Sequence, residues 1–237
     1  MIMKNGYYKQ DDIYIQQGKK IQVKELYKEI QALIEHNFSD TSQLSILDVG
    51  CASGELLYYL KSSLGVEEKL FGFDASVELV ENANTRFNEE QLQFFVDDAQ
   101  TFSLSERFDV IIMKGVLTIF DEFQPSLDNI IQHLKPKGIA IIVSVFNDYD
   151  IDVRITFRKK GSTEWNTGYN LFPLSDIKEF IAKKGCTMEC KEHIMPFDLS
   201  PQDNPIRAWT VTCNGKRYLT NGLNLLYNMK LLTIKKS

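Results

Sequence analysis

Three acidic positions in this chain stand out by what surrounds them. Asp48-Val-Gly50-Cys51-Ala52-Ser53-Gly54 closes an apolar run that begins at Leu44, and carries two glycines four residues apart. A glycine there permits a sharp turn and lets backbone N–H groups approach a ligand, while a second lets the next helix pack closely. Asp74 follows twenty residues after Gly54, at the end of the next apolar run. A carboxylate in that place accepts hydrogen bonds from both hydroxyls of a ribose. Its plainer alternative is an acid at a helix N-terminus, favoured by the helix dipole. Asp98, in Phe95-Val-Asp97-Asp98-Ala99, is placed to accept from the exocyclic amine of an adenine; with Asp97 it also reads as a solvated turn. The three together spell a site for an adenosine-bearing ligand.

Alternating elements must hold these residues. Ile21–Phe38 has apolar residues at helical spacing (Ile21, Leu26, Ile30, Leu33, Ile34), and helical pattern resumes after Gly54 with Leu56, Leu57 and Leu60. Strands are expected at Leu44–Val49, Leu70–Phe73, Leu92–Val96 and Phe108–Met113, with helices at Ser76–Phe87, where Ser76 is the N-cap, and Ser126–Leu134. Lys135-Pro-Lys-Gly138 breaks the second of these before a strand at Ile139–Phe146. Strands alternating with helices mean a mostly parallel sheet covered on both faces. Pattern is lost over 147–174, then returns as a helix at Ser175–Lys184 and a strand at Thr187–His193. Ala208–Cys213 and Lys216–Thr220 flank Asn214-Gly215, a strong hairpin signal, and Asn228–Lys235 is a last strand.

The series over roughly residues 40–146 resembles the class I, Rossmann-like family of S-adenosylmethionine (SAM)-dependent methyltransferases. Asp48-x-Gly50-x-Ala52-x-Gly54 is similar to the family's first motif, Asp74 to the acid after the second strand, and Asp98-Ala99 to the pair after the third. Phe108-Asp109-Val110-Ile111 is similar to the opening of the fourth strand, and Leu134-Lys-Pro-Lys-Gly138 to the turn into the fifth. The resemblance implies an α/β fold: a seven-stranded, mostly parallel sheet with helices on both faces, an antiparallel last strand, an N-terminal helical lid and an insertion after the fifth strand. It implies SAM as cofactor and S-adenosylhomocysteine as product, held by Asp48, Gly50, Cys51, Ala52 and Gly54, by Asp74 and Ala75, by Asp98 and Ala99, and by Lys114. It divides one domain over 1–237 into a lid or helix (1–40), a cofactor-binding core (41–146), acceptor-side insertions (147–174 and 196–225) and a last strand (226–237). Three departures count. Ala52 stands where many relatives have glycine, Ile119 where many carry histidine, and no Asn-Pro-Pro-Tyr or Asp-Pro-Pro-Tyr is present, which argues against methylating an adenine or glutamine amine.

A sulfonium already activates its methyl group, so positioning supplies most of the rate, and a hydroxyl acceptor gains further from a general base. Of the three histidines, His36 and His133 fall on expected helices and read as surface or packing residues, whereas His193 ends a strand and is the base candidate. A partly buried strand histidine is the alternative. Acceptor-side candidates are Tyr7 and Tyr8, ahead of the first helix, and Trp165 and Tyr169, with Phe172, in the insertion after the fifth strand. Arg154 and Arg158 join them: residues 151–237 carry a net +6 against −11 for residues 1–150. That asymmetry fits an anionic acceptor or, more cheaply, a solvated hairpin edge.

Composition narrows the classes. At 237 residues, 43% hydrophobic and 25% charged, the chain suits one globular domain. A net charge of −5 gives no general attraction to nucleic acid or anionic membranes. No run reads as a signal peptide or membrane span, and four cysteines without a paired ligand spacing read as free thiols in a reducing cytoplasm, with no metal site. The expected function is SAM-dependent methylation of a small molecule, at oxygen, with a saccharide or other biosynthetic intermediate as acceptor. A non-catalytic SAM-binding regulator or partner subunit is the second reading. An NAD-dependent oxidoreductase is the third, opposed by the lack of Gly-x-Gly-x-x-Gly.

Overall fold

The computed structural model describes residue 15 and residues 23–236. In chain order the elements are α1 (Glu25–Asn37), β1 (Ile46–Val49), α2 (Glu55–Leu64), β2 (Leu70–Asp74), α3 (Val77–Arg86), β3 (Leu92–Val96), β4 (Phe108–Lys114), α4 (Gln124–His133) and β5 (Leu134–Ser144). There follow four two-residue strands, β6 (Phe146–Asn147), β7 (Thr156–Phe157), β8 (Asn166–Thr167) and β9 (Phe172–Pro173), then α5 (Leu174–Lys183) and β10 (Cys186–His193). β11 (Trp209–Cys213), β12 (Lys216–Thr220), β13 (Leu226–Tyr227) and β14 (Met229–Lys236) complete the order.

Seven strands form one sheet in the order β10-β14-β5-β4-β1-β2-β3. β5, β4, β1, β2 and β3 run parallel, and β14 lies antiparallel to both β5 and β10. Successive strand residues face opposite sides, and the buried residues split accordingly. Ile46, Val110, Ile112, Ile139, Ile141 and Val143 meet α1, α2 and α3 on one face. Leu47, Val49, Ile111, Met113, Ala140 and Ile142 meet α4 and α5 on the other. Helices therefore cover both faces, as expected. Among the described residues no helix is long and apolar enough to cross a membrane.

Two local features differ from the expected pattern. Lys135-Pro-Lys-Gly138 does end α4, yet it is taken into β5 as a bulge: Phe108 pairs with Leu134 and Val110 with Ile139, so four residues loop out of the ladder. Lys137 turns with φ 64, and Gly138 fits where a Cβ would lie 2.9 Å from the Lys135 carbonyl. The patternless 147–174 is pinned, not loose. Asn170, fully buried, accepts from Ile155 N–H at 2.9 Å and donates to the Phe120 carbonyl at 2.8 Å. Elsewhere the signals hold. Ser76 caps α3 by accepting from Leu79 N–H, and Asn214 (φ 50) and Gly215 (φ 76) turn the β11–β12 hairpin.

Candidate functional site

All five parallel strands end on one edge, and the acids found in the sequence end them or follow them. The turn after β1 reverses direction through three left-handed residues, Gly50 (φ 74), Ala52 (φ 49) and Gly54 (φ 81). Its first N–H groups, Gly50 and Cys51, both donate to the Phe73 carbonyl at 2.8 and 2.9 Å, so the turn is fastened to β2. Ala52 N–H donates to Asp74 Oδ2 at 3.0 Å, and Ser76 N–H to Asp74 Oδ1 at 3.0 Å. Asp74 thus ties the glycine turn to the start of α3.

Next along the edge, Asp98 accepts from Gln100 N–H at 2.8 Å through one oxygen. Ala75 and two valines, Val77 and Val96, stand exposed between Asp74 and Asp98. Open apolar surface flanked by two carboxylates suits a flat, polar-edged ring with a ribose. Beneath the turn, Asp48 is only 2% exposed, and its Oδ1 finds no hydrogen-bond partner among the described residues. An orphaned buried carboxyl oxygen is a place that a ligand donor would fit.

Burial pushes the Asp48 carboxyl up to about 7, against the pull of Lys114 and aided by the repulsion of Asp74 and Glu55. The folded protein therefore holds this proton more tightly than the unfolded chain, where the ordinary value is 3.8. The part of the stability that Asp48 contributes is full at low pH, falls as pH rises from there toward about 7, and levels off above. A shift of about 3 units corresponds to a slope totalling on the order of 4 kcal/mol. Urea denaturation across that window should show it, and Asp48→Asn should flatten it. A slope unchanged in the variant would assign it to other groups.

Of the other residues singled out in the sequence, Cys51 and Ala99 are buried behind the edge, and Lys114, the last residue of β4, is half-buried on it. Tyr7 and Tyr8 lie outside the described residues. His193 ends β10 on the same edge but is 1% exposed, with its Nδ1 2.5 Å from Glu29 Oε1 of α1. Burial raises the Glu29 carboxyl, yet the bonds from Lys191 and His193 outweigh it and hold the group below its usual range. Arg154 is already engaged: it binds Asp152 at 3.1 Å and the Asp121 carbonyl at 2.7 Å, and lies 4.7 Å over the Phe172 ring. Arg158 covers the exposed Trp165 at 5.1 Å on the β7–β8 hairpin.

Tyr169 alone of the acceptor-side candidates ties the insertions to each other. It is held at φ 61, a conformation costly for a non-glycine residue, and donates from its hydroxyl to the Ile206 carbonyl at 3.0 Å. Its ring lies 6.3 Å from that of Tyr227, whose phenol burial raises beyond the ordinary range. Lys24, Arg207 and Tyr227 were not singled out in the sequence. Each is an isolated residue whose place comes only from long-range packing.

Residues 40–199, well over half of the chain, match the family described as methyltransferase domain. Malonyl-[acyl-carrier protein] O-methyltransferase from Bacillus cereus is 24% identical over 136 residues, 57% of this chain and 50% of the relative. Ubiquinone biosynthesis O-methyltransferase from Rickettsia canadensis is 27% identical over 112 residues, 47% of each chain. The chain thus spans about half the length of the curated relatives it matches. An amino pentose methyltransferase from Micromonospora echinaspora, solved with SAM bound, superposes with a TM-score of 0.59 at 14% identity, covering 99% of both chains. The fold is shared throughout, the sequence match runs through the glycine turn and the acids that follow it, and the chain belongs to the methyltransferase domain family.

Proposed function

We propose that this protein transfers a methyl group from SAM to the oxygen of a small-molecule acceptor, a saccharide or another biosynthetic intermediate. The observation that carries the reading is the edge itself: a three-residue left-handed turn bound to Asp74, exposed apolar surface beyond it, and Asp98 next in line. The residues fit SAM. Asp74 would hold the ribose, Asp98 the adenine amine, and the unpartnered Asp48 oxygen lies beneath the turn that the methionine part would meet. Oxygen as the acceptor atom is supported by the O-methyltransferases among the relatives.

SAM supplies a methyl group already activated by its sulfonium, so the chain's own work is to bind, orient and exclude water. Gly50 and Gly54 let the backbone approach, and the fastening of the turn to Phe73 and Asp74 keeps that approach fixed. For His193, burial and the bond to Glu29 favour anchoring α1 over taking a proton, and no other base is assigned. The insertions 147–174 and 196–225 stand on the acceptor side.

Calorimetry should show SAM and S-adenosylhomocysteine binding and no NAD binding, and tritium from methyl-labelled SAM should enter a metabolite of a cell extract. NAD binding without SAM binding would overturn the reading. SAM binding without transfer to any metabolite would favour the regulatory alternative.

A further inference from the structure

A single 3-10 turn, Leu117–Ile119, follows β4 and stands between the glycine turn and the first insertion. It is closed by Ile119 N–H to the Val116 carbonyl at 3.1 Å and by Phe120 N–H to the Leu117 carbonyl at 3.3 Å. On one side Val116 meets Gly50: a Cβ on that glycine would lie 2.2 Å from a Val116 methyl, so no side chain fits between them. On the other side the insertion 147–174 takes three carbonyls. Asn170 N–H donates to that of Thr118 at 2.9 Å, Asn170 Nδ2 to that of Phe120 at 2.8 Å, and Arg154 Nη2 to that of Asp121 at 2.7 Å.

So short a turn leaves its last carbonyls without helical donors. Asn170 supplies two of the donors from one fully buried residue. It also closes the neck of the insertion. Its Oδ1 accepts from Ile155 N–H at 2.9 Å, beside the Val153–Leu171 pair, whose two backbone bonds measure 3.0 and 2.9 Å. The preceding residue reaches the second insertion: Tyr169, at φ 61, donates to the Ile206 carbonyl at 3.0 Å. Backbone strain of that kind persists only where the surroundings impose it. The neck at 169–170 therefore joins three parts: the segment that meets Gly50, the 147–174 insertion and the 196–225 insertion.

We propose that Asn170 is a positioning residue for methyl transfer. Through the Thr118 and Phe120 carbonyls it seats both insertions on the segment that meets Gly50, and so fixes the acceptor side against the glycine turn. In-line transfer tolerates little error, since a misplacement of about 1 Å can cost on the order of a hundredfold in rate. The effect on transfer rests on the methyl-transfer reading; the setting of the glycine turn does not.

Amide hydrogen exchange is followed on the full chain by mass spectrometry, with and without saturating S-adenosylhomocysteine. Thr41→Ala is the control, since it removes a like bond, from Thr41 Oγ1 to the Leu64 carbonyl at 2.6 Å, at the opposite edge of the sheet. Asn170→Ala speeds exchange over residues 50–54 about three- to tenfold, as parts of one bonded network should, and Thr41→Ala does not. Arg154→Ala, a surface change, has a smaller effect of the same kind and decides the matter should Asn170→Ala fail to fold. In wild type S-adenosylhomocysteine slows exchange over residues 153–171 as well as the turn; in Asn170→Ala it slows the turn alone. A merely structural role would speed exchange throughout the sheet. That result overturns the proposal, as does equal exchange of the turn in wild type and variants, or an insertion in wild type that bound S-adenosylhomocysteine leaves unchanged. Should S-adenosylhomocysteine not bind wild type at all, the methyl-transfer reading falls, and exchange in its absence still decides what Asn170 sets.

Discussion

Gly54→Ala is expected to destabilise the protein by about 2–4 kcal/mol and to weaken SAM binding with it. Two costs add. A left-handed residue with a Cβ loses about 1 kcal/mol or more, and Gly54 sits at φ 81. The new Cβ would also stand 2.7 Å from Phe94 Cζ and 3.2 Å from Phe87 Cδ2. Both rings are buried, and Phe87 is stacked on Tyr58 at 4.5 Å, so neither has room to withdraw. Overpacking of that kind costs about 1–3 kcal/mol. Relief by moving the backbone would displace the turn that, on the proposed function, meets the cofactor. Ala52→Gly is the control: it removes left-handed strain at φ 49 but loosens the unfolded chain by a similar amount, about 1 kcal/mol, so its effect stays small. Urea melts and SAM calorimetry read both variants. An unaffected Gly54→Ala protein would mean that the rings yield freely and that the turn needs no glycine there.

Asp74→Asn should raise the SAM dissociation constant about ten- to a hundredfold, the loss of roughly 1.5–3 kcal/mol that a bond to a charged acceptor contributes. The substitution keeps shape and removes charge, but it does a second thing that the structure makes specific. Both oxygens of Asp74 already accept a backbone N–H, from Ala52 and from Ser76. An amide offers one oxygen, so either orientation turns an NH2 toward one of these donors and leaves it without its acceptor, costing about 1–3 kcal/mol of stability. The two effects separate in a melt and a titration. Lower stability with an unchanged dissociation constant would make Asp74 a fastening of the turn alone.

That double duty of Asp74 shows how legible the site was. Its spacing after Gly54 pointed to a ribose acceptor, and the rival reading was a helix N-terminal acid. The side chain does bond at the start of α3, as the rival reading has it, and it fastens the glycine turn as well, a tie that no spacing announces. The core was readable because its strands are apolar runs closed by glycine or acid, and Ser76 announced its helix by chemistry alone. The insertions were not. Strands of two residues have no period to detect, and Asn170, whose bonds reach Ile155 and Phe120, looks in sequence like any loop asparagine. Arg154 and Arg158 drew attention because they lie near Trp165 and Tyr169 along the chain. In space they cover Phe172 and Trp165.

The place of β14 bears on how such a chain is made. β10 touches the sheet only through β14, and β14 fills the space between β10 and β5. Residues 134–193 therefore emerge from a ribosome some time before their sheet partner, 229–236, exists. At roughly 5–20 residues per second the wait for β5 is about 5–20 seconds. Throughout it β5, with its apolar run from Ile139 to Val143, presents an open edge of the kind that templates aggregation. Any product of early termination before residue 229 would keep that edge for good. Late synthesis of the strand that joins β10 to the rest of the sheet makes closure of that side wait for the end of the chain, and the nascent chain a natural client for chaperones.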